Sequence, residues 1–223
     1  MAGDPTDVLV FFTDDGSSTE RVSHRKPTPI EIVEYDPAWP ARYAEVEKIM
    51  REALGEKGFV SIQHVGSTSV PGLLAKNVLD IDLIVPDIQD EAAYVPALEA
   101  AGFQLLFREP AWYEHRFFGF TEPRVNLHVF GPECAEVKRH RLFRDWLRTH
   151  DDDRDAYAAI KREAALASGT SGENIMQYTK RKEPLIQSIL RRCFIAEGLA
   201  GEDYKFPNEA GYSGPLLGPK GPR

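Results

Sequence analysis

The stretch HVGSTSVPGLLAKNVLDIDLIV, His64 to Val85, decides the fold. Its second half reads as a strand with two acids in it, Asp80 and Asp82, among Leu79, Ile81, Leu83 and Ile84. In a strand, residues i and i+2 share a face, so the two carboxylates project side by side and the apolar residues between them face another layer. Burying an ionised carboxylate costs several kcal/mol unless a partner compensates, and two like charges cost more. A hard divalent cation such as Mg²⁺, which takes oxygen ligands and keeps room for waters and phosphates, would answer that cost. Just upstream, Gly66 and Ser67 form a small polar turn whose N–H groups and hydroxyl suit a phosphate. A pair of solvent-facing acids is the plainer alternative, which the apolar flanks disfavour.

Working outward, FVSIQHVG before the stretch is a predicted strand, and IEIVEY alternates as a half-buried strand does. PAWPARYAEVEKIMREALG has helical spacing, prolines where a first turn tolerates them, and a closing glycine. DEAAYVPALEAAG follows as a helix, then FQLLF, EHRFFGF and VNLHVF as consecutive strands, the last two antiparallel. From Cys134 the spacing is helical in three pieces: AEVKRHRLFRDWLRTH, DRDAYAAIKREAALA and GENIMQYTKRKEPLIQSILRRCF. Strands in the middle and helices at the end predict an α+β domain with a mixed sheet and a C-terminal helical subdomain over residues 29–196. Residues 1–28 are expected as a flexible arm, with an edge strand at Val8 to Phe12 as the alternative. Residues 197–223, rich in Gly and Pro, are expected as a disordered tail.

A net charge of −8 argues against generic adhesion to nucleic acid, although a local basic face remains open. Cys134 and Cys193 match no metal-ligand spacing and read as free thiols in a reducing compartment. No apolar run reaches the roughly 20 residues of a membrane span, and acids stand where a secretory signal is basic, so a cytoplasmic location is expected.

Several further residues are candidates for chemistry. His64 and His128 lie on different predicted strands and suit general acid or base work near neutral pH, with hydrogen-bonded core histidines as the alternative. Lys76, between the turn and the acids, would pair with phosphate or with Asp80. Glu114 and Arg116 alternate onto one strand face; Arg116 would clamp a phosphate or carboxylate through its planar fork, or pair with Glu114. The run KRHRLFRDWLR sets Lys138, Arg141, Arg144 and Arg148 along one helical side, and YTKRK adds Lys180, Arg181 and Lys182. Such runs are a solvated face or a surface for polyphosphate or RNA. The acids of DDDRD, 151–155, complement a helix dipole without invoking metal.

The central stretch resembles the signature of the GrpB-like family, whose fold is that of the nucleotidyltransferase superfamily, a mixed sheet with flanking helices. YDPAWPARYAEV, HRFFGF, NLHVF, HRLFRDWLR and YTKRKEPLI extend the similarity from about Ile30 to Ile195. The resemblance implies that Gly66 and Ser67 hold a phosphate or its equivalent and that Asp80 and Asp82 hold metal. One departure matters: active nucleotidyltransferases carry a third carboxylate on the neighbouring strand, where VNLHVF offers Asn126 and His128. The narrow favourite is therefore a branch that looks like arginine-containing cyclodipeptide synthases. Those take arginine from arginyl-tRNA, join it to a second amino acid and close a diketopiperazine without a cofactor. Asp80, Asp82 or Glu114 would then read the guanidinium, a histidine would act as base, and the basic C-terminal helices would meet the tRNA. A Mg²⁺-dependent nucleotidyltransferase acting on a small acceptor is the first alternative. A catalytically inactive nucleotide-binding or interaction protein is the second.

Overall fold

The computed structural model describes residues 5–11, 18–171, 175–207 and 209. Six strands make one mixed sheet: β1 (Glu20–Arg21), β2 (Ser61–Val65), β3 (Leu79–Ile84), β4 (Gln104–Glu109), β5 (His115–Phe120) and β6 (Val125–Phe130). Their spatial order is β1-β4-β5-β6-β3-β2, and of the adjacent pairs β3 and β6 are parallel while the others are antiparallel. Among the described residues, five α-helices flank it: α1 (Trp39–Leu54), α2 (Val95–Ala100), α3 (Ala135–Thr149), α4 (Asp151–Ser171) and α5 (Ile175–Ala196). The expected α+β architecture with three C-terminal helices is what forms. No helix among the described residues is long and apolar enough to cross a membrane.

Alternation along β3 and β6 sorts the layers. Leu79, Ile81 and Leu83 with Val125, Leu127 and Val129 are buried in one core with Trp39, Val46 and Met50 of α1 and Leu98 of α2. The opposite face carries Asp80 and Asp82 opposite Asn126 and His128 in the parallel register, and α3, α4 and α5 cover it. A second core beneath the 70–73 loop joins Val70 and Leu73 to Leu147, Tyr157, Ile189 and Cys193, which fixes the helical layer against the turn that follows β2.

Three local expectations are corrected. IEIVEY supplies one isolated bridge, Val33 to Ala75, instead of a strand. The segment lies against Ala75, between the turn and β3, and not along edge strand β2, where the Ile62 carbonyl accepts from the Tyr43 hydroxyl (3.3 Å) and the His64 carbonyl from Arg144 Nη1 (3.0 Å). The arm is not loose where it is described. Pro5–Leu9 is a 3-10 helix and not a strand, Phe12 lies outside the described residues, and the added edge strand is Glu20–Arg21 on β4. Val8 packs with Leu190, Phe194 and Phe206, so the tail too contributes a fully buried side chain. Apolar burial at either end explains this: Val8 and Phe206 cover a patch on α5 that the domain core leaves open, a gain of about 1.5–3 kcal/mol per large side chain.

Candidate functional site

Gly66 ends β2 with φ +66°, and a Cβ there would lie 2.3 Å from Asp80 Oδ2. Only glycine lets the turn approach the aspartate this closely. Asp80 Oδ1 accepts from Asn126 Nδ2 (2.8 Å), and Asn126 Oδ1 accepts in turn from Arg25 Nη2 (2.7 Å), a residue of the N-terminal arm. Asn126 therefore orients Asp80 with its amide.

Above this turn lies a cavity of about 150 Å³, lined by Gly66, Ser67, Lys76, Asp80, Asn126, Tyr157, Lys161, Tyr178 and Lys182. Lys161 of α4 is 2% exposed, and its Nζ donates to the Leu74 carbonyl (2.5 Å). Lys182 of α5 stands 4.3 Å from the centre of the Tyr178 ring and Lys76 stands 5.2 Å from it. Burial and mutual repulsion disfavour the charged forms: Lys182 is lowered to about 8 by desolvation and by Lys76, and Lys161 falls well below its ordinary value through desolvation and Lys182. Lys76 is lowered too, chiefly by burial, although Asp80 opposes the shift. Tyr157, raised to about 12 by burial, keeps its proton. A Gly-Ser turn and three lysines beside one carboxylate give this cavity donors that an anion would hold in their charged forms.

Asp82 has a different fate, although it lies two residues away on the same face. It is fully buried, and both its oxygens face His140 Nδ1 of α3, at 3.1 and 2.9 Å. Glu136 lies on the other side of that ring, 3.5 Å from His140 Nε2. Both acids favour the imidazolium over its desolvation, so His140 is raised well above the ordinary histidine value. His128 bonds His115 (3.1 Å), which bonds Glu109 (2.7 Å); burial lowers both histidines to about 3 and leaves them neutral. His140 is the partner that Asp82 has among these groups. Asp80 and Asp82 do not suit a shared divalent cation here, because His140 occupies one carboxylate and three lysines surround the other.

The remaining predicted residues separate. His64 lies behind the turn: its Nε2 pairs with Thr68 Oγ1 (3.0 Å), its ring stacks on Tyr43, and burial lowers it to about 4. It holds the turn and does not line the cavity. Glu114 precedes β5 in a left-handed conformation (φ 54°), off the strand face expected for it. Arg116 is buried and pairs with Glu91 (2.6 Å) while donating to the Glu114 carbonyl, so its fork is spent on structure. The basic run does not form one open face: Arg144 donates to His64, Arg148 donates to the Ser69 carbonyl (2.7 Å), and Lys138 pairs with Glu133. Gly66, Ser67, Lys76, Asp80 and Lys182 are the predicted residues that the fold brings together.

The fold and site define a mixed α+β protein with a lysine-lined cavity between its sheet and its C-terminal helices. The chain belongs to the GrpB protein family, whose model matches residues 29–192. It is 42% identical over 183 residues to a UPF0157 protein of Halalkalibacterium halodurans, covering 81% of this chain and 92% of that one. A dephospho-CoA kinase of Mycolicibacterium paratuberculosis is 28% identical over 192 residues, 74% of this chain but 46% of the kinase. Among solved structures, GrpB from Enterococcus faecalis superposes with a TM-score of 0.66 at 26% identity, covering 75% of this chain and 99% of that one.

Tyr157, Lys161, Tyr178 and His140 were not singled out from the sequence. A usable signal existed for four pocket residues: Tyr157 with Lys161 and Tyr178 with Lys182 are i, i+4 pairs, each placing a lysine on the same helix face as a buried tyrosine. His140 stands inside a basic run and carries no such mark.

Proposed function

We propose that the chain is a transferase on a nucleotidyltransferase-like fold that binds a nucleotide-type ligand by its phosphates in the Gly66–Ser67 pocket. The observation that carries this is the convergence of Lys76, Lys161 and Lys182 on the turn beside Asp80. Phosphate oxygens would neutralise the lysines and accept from the turn. Asp80, held by Asn126, would accept the proton of an attacking hydroxyl. The dephospho-CoA kinases share this stretch over about half their length, so coenzyme A and dephospho-CoA belong among the nucleotides to try.

The arginine cyclodipeptide reading is weaker on the same observation. A guanidinium entering the pocket would meet three ammonium groups, while Asp82 and Arg116 are already paired and the basic helices turn several arginines inward. The test is calorimetric titration of the full chain with ATP, GTP, coenzyme A and dephospho-CoA, with and without Mg²⁺. Binding by at least one of these that is lost in Lys161→Gln is expected. Absence of binding by all four, beside an arginine diketopiperazine formed from arginyl-tRNA, would sink the proposal.

A further inference from the structure

The pocket carries information about the end of the ligand that enters it. Its volume of about 150 Å³ is well below the roughly 300–1,000 Å³ of pockets that enclose whole small molecules. It therefore takes one end of a ligand. With all three lysines protonated, the state a bound anion favours, they set three ammonium groups against one carboxylate, a surplus of two positive charges. The Tyr178 hydroxyl lies on a side chain 1% exposed that lines the cavity, and it has no hydrogen-bond partner among the described residues. An unpaired buried hydroxyl of this kind is costly until an acceptor reaches it. Asp80 adds the opposite requirement, because its Oδ2 beside Gly66 repels a bare anion and needs a donor.

We propose that this pocket selects the dianion of a terminal phosphate monoester, with Asp80 accepting a hydrogen bond from a hydroxyl or amine adjacent to that phosphate. The proposal rests on the phosphate-ligand reading above and narrows it. A dianion matches the surplus charge, gives Tyr178 an acceptor, and relieves the repulsion among the lysines. A phosphodiester offers one charge fewer and brings a second substituent that the cavity must also house.

Proton linkage follows from the neighbours of each lysine. Lys182 faces Lys76 and Asp80; Lys161 faces Lys182, Asp80 and Lys76; Lys76 faces Asp80, Arg124 and Arg25. Tyr157 and Tyr178 stay neutral, since burial raises both. A bound dianion favours the ammonium forms, so at pH 8 the protein takes up protons as the ligand binds, and affinity falls as pH rises above about 8.

The experiment is calorimetry on the full chain at pH 8, without metal, in two buffers of different ionisation heat. The probes are inorganic phosphate, glycerol 3-phosphate and dimethyl phosphate. Glycerol 3-phosphate should bind at least about tenfold more tightly than dimethyl phosphate, a difference of about 1.4 kcal/mol. Its heat should differ between the buffers in the sense of proton uptake, and Lys182→Gln should weaken it about tenfold. Asp80→Asn should tighten inorganic phosphate by removing a like charge. Equal affinity for monoester and diester, or weaker inorganic phosphate binding in Asp80→Asn, in a protein that still binds a nucleotide would overturn this inference and leave the broader reading standing. Failure of both the phosphates and the nucleotides to bind would remove both.

Discussion

Replacing Lys182 by methionine should raise the stability of the ligand-free protein at pH 7 while weakening its hold on phosphate ligands. The fold lowers Lys182 from 10.5 to about 8, and the difference, 10.5 − 8 = 2.5, corresponds to about 3 kcal/mol of disfavour for the ammonium. Two effects reduce the gain from removing it. The side chain is only partly buried, so solvent screens part of the penalty, and the ammonium loses a contact with the Tyr178 ring worth about 0.5–2 kcal/mol. Methionine keeps the length and apolar body of the chain, so packing is conserved. A net stabilisation of roughly 1–2 kcal/mol remains, which for a chain of this size moves Tm by roughly 2–8 °C. The pH dependence fixes the cause. The folded pKa lies below the unfolded one, so the penalty is complete below about pH 8 and fades as pH rises toward 10.5. The advantage of the variant should shrink across that window. Differential scanning calorimetry at pH 7 and pH 10, each with and without glycerol 3-phosphate, reads both halves. A variant that melts several degrees lower at pH 7, by an amount that does not change with pH, would show that the ammonium is a structural partner and refute the reasoning.

Gly66→Ala should cost about 2–4 kcal/mol and abolish ligand-induced thermal shifts, because the backbone is at φ +66° and the new Cβ would meet Asp80 Oδ2 at 2.3 Å. Urea denaturation and thermal-shift measurements check it, and an alanine variant that still binds ligand would show that the turn can move away from Asp80. His140→Ala should cost about 3–5 kcal/mol at pH 6 by leaving Asp82 buried without its partner. Since His140 is raised above its unfolded value, its contribution is complete below pH 6.5 and is lost as pH rises through the folded value, so the deficit should narrow in alkaline urea titrations.

Most of the architecture was legible because it is written locally. The period of two in LDIDLI assigned Asp80 and Asp82 to one face, and the parallel pairing of β3 with β6 sets Asn126 and His128 opposite them. The three C-terminal helices followed from equally local spacing. What local pattern does not carry is the partner of each polar group. The two aspartates are equivalent by alternation, yet α3 brings His140 to Asp82 while α4 and α5 bring Lys161 and Lys182 to Asp80. Arg116 has the same ambiguity: strand alternation offered Glu114, and the fold supplied Glu91 from the turn before α2. The arm and the tail were read from their composition, which records average polarity and not the single apolar side chains, Val8 and Phe206, that anchor them.

The sequence by itself determined most of the strand and helix segments, the shared face of Asp80 and Asp82 and the polar Gly66–Ser67 turn, since each depends on neighbours in the chain and on backbone stereochemistry, whereas the pairing of β2 with β3 brings Gly66 against Asp80. Only the tertiary structure decided that one aspartate is sealed by a histidine and the other opens into a lysine-lined cavity. The docking of three helices sets that outcome through many diffuse apolar contacts, and a buried charge takes whichever counter-charge those contacts bring within reach.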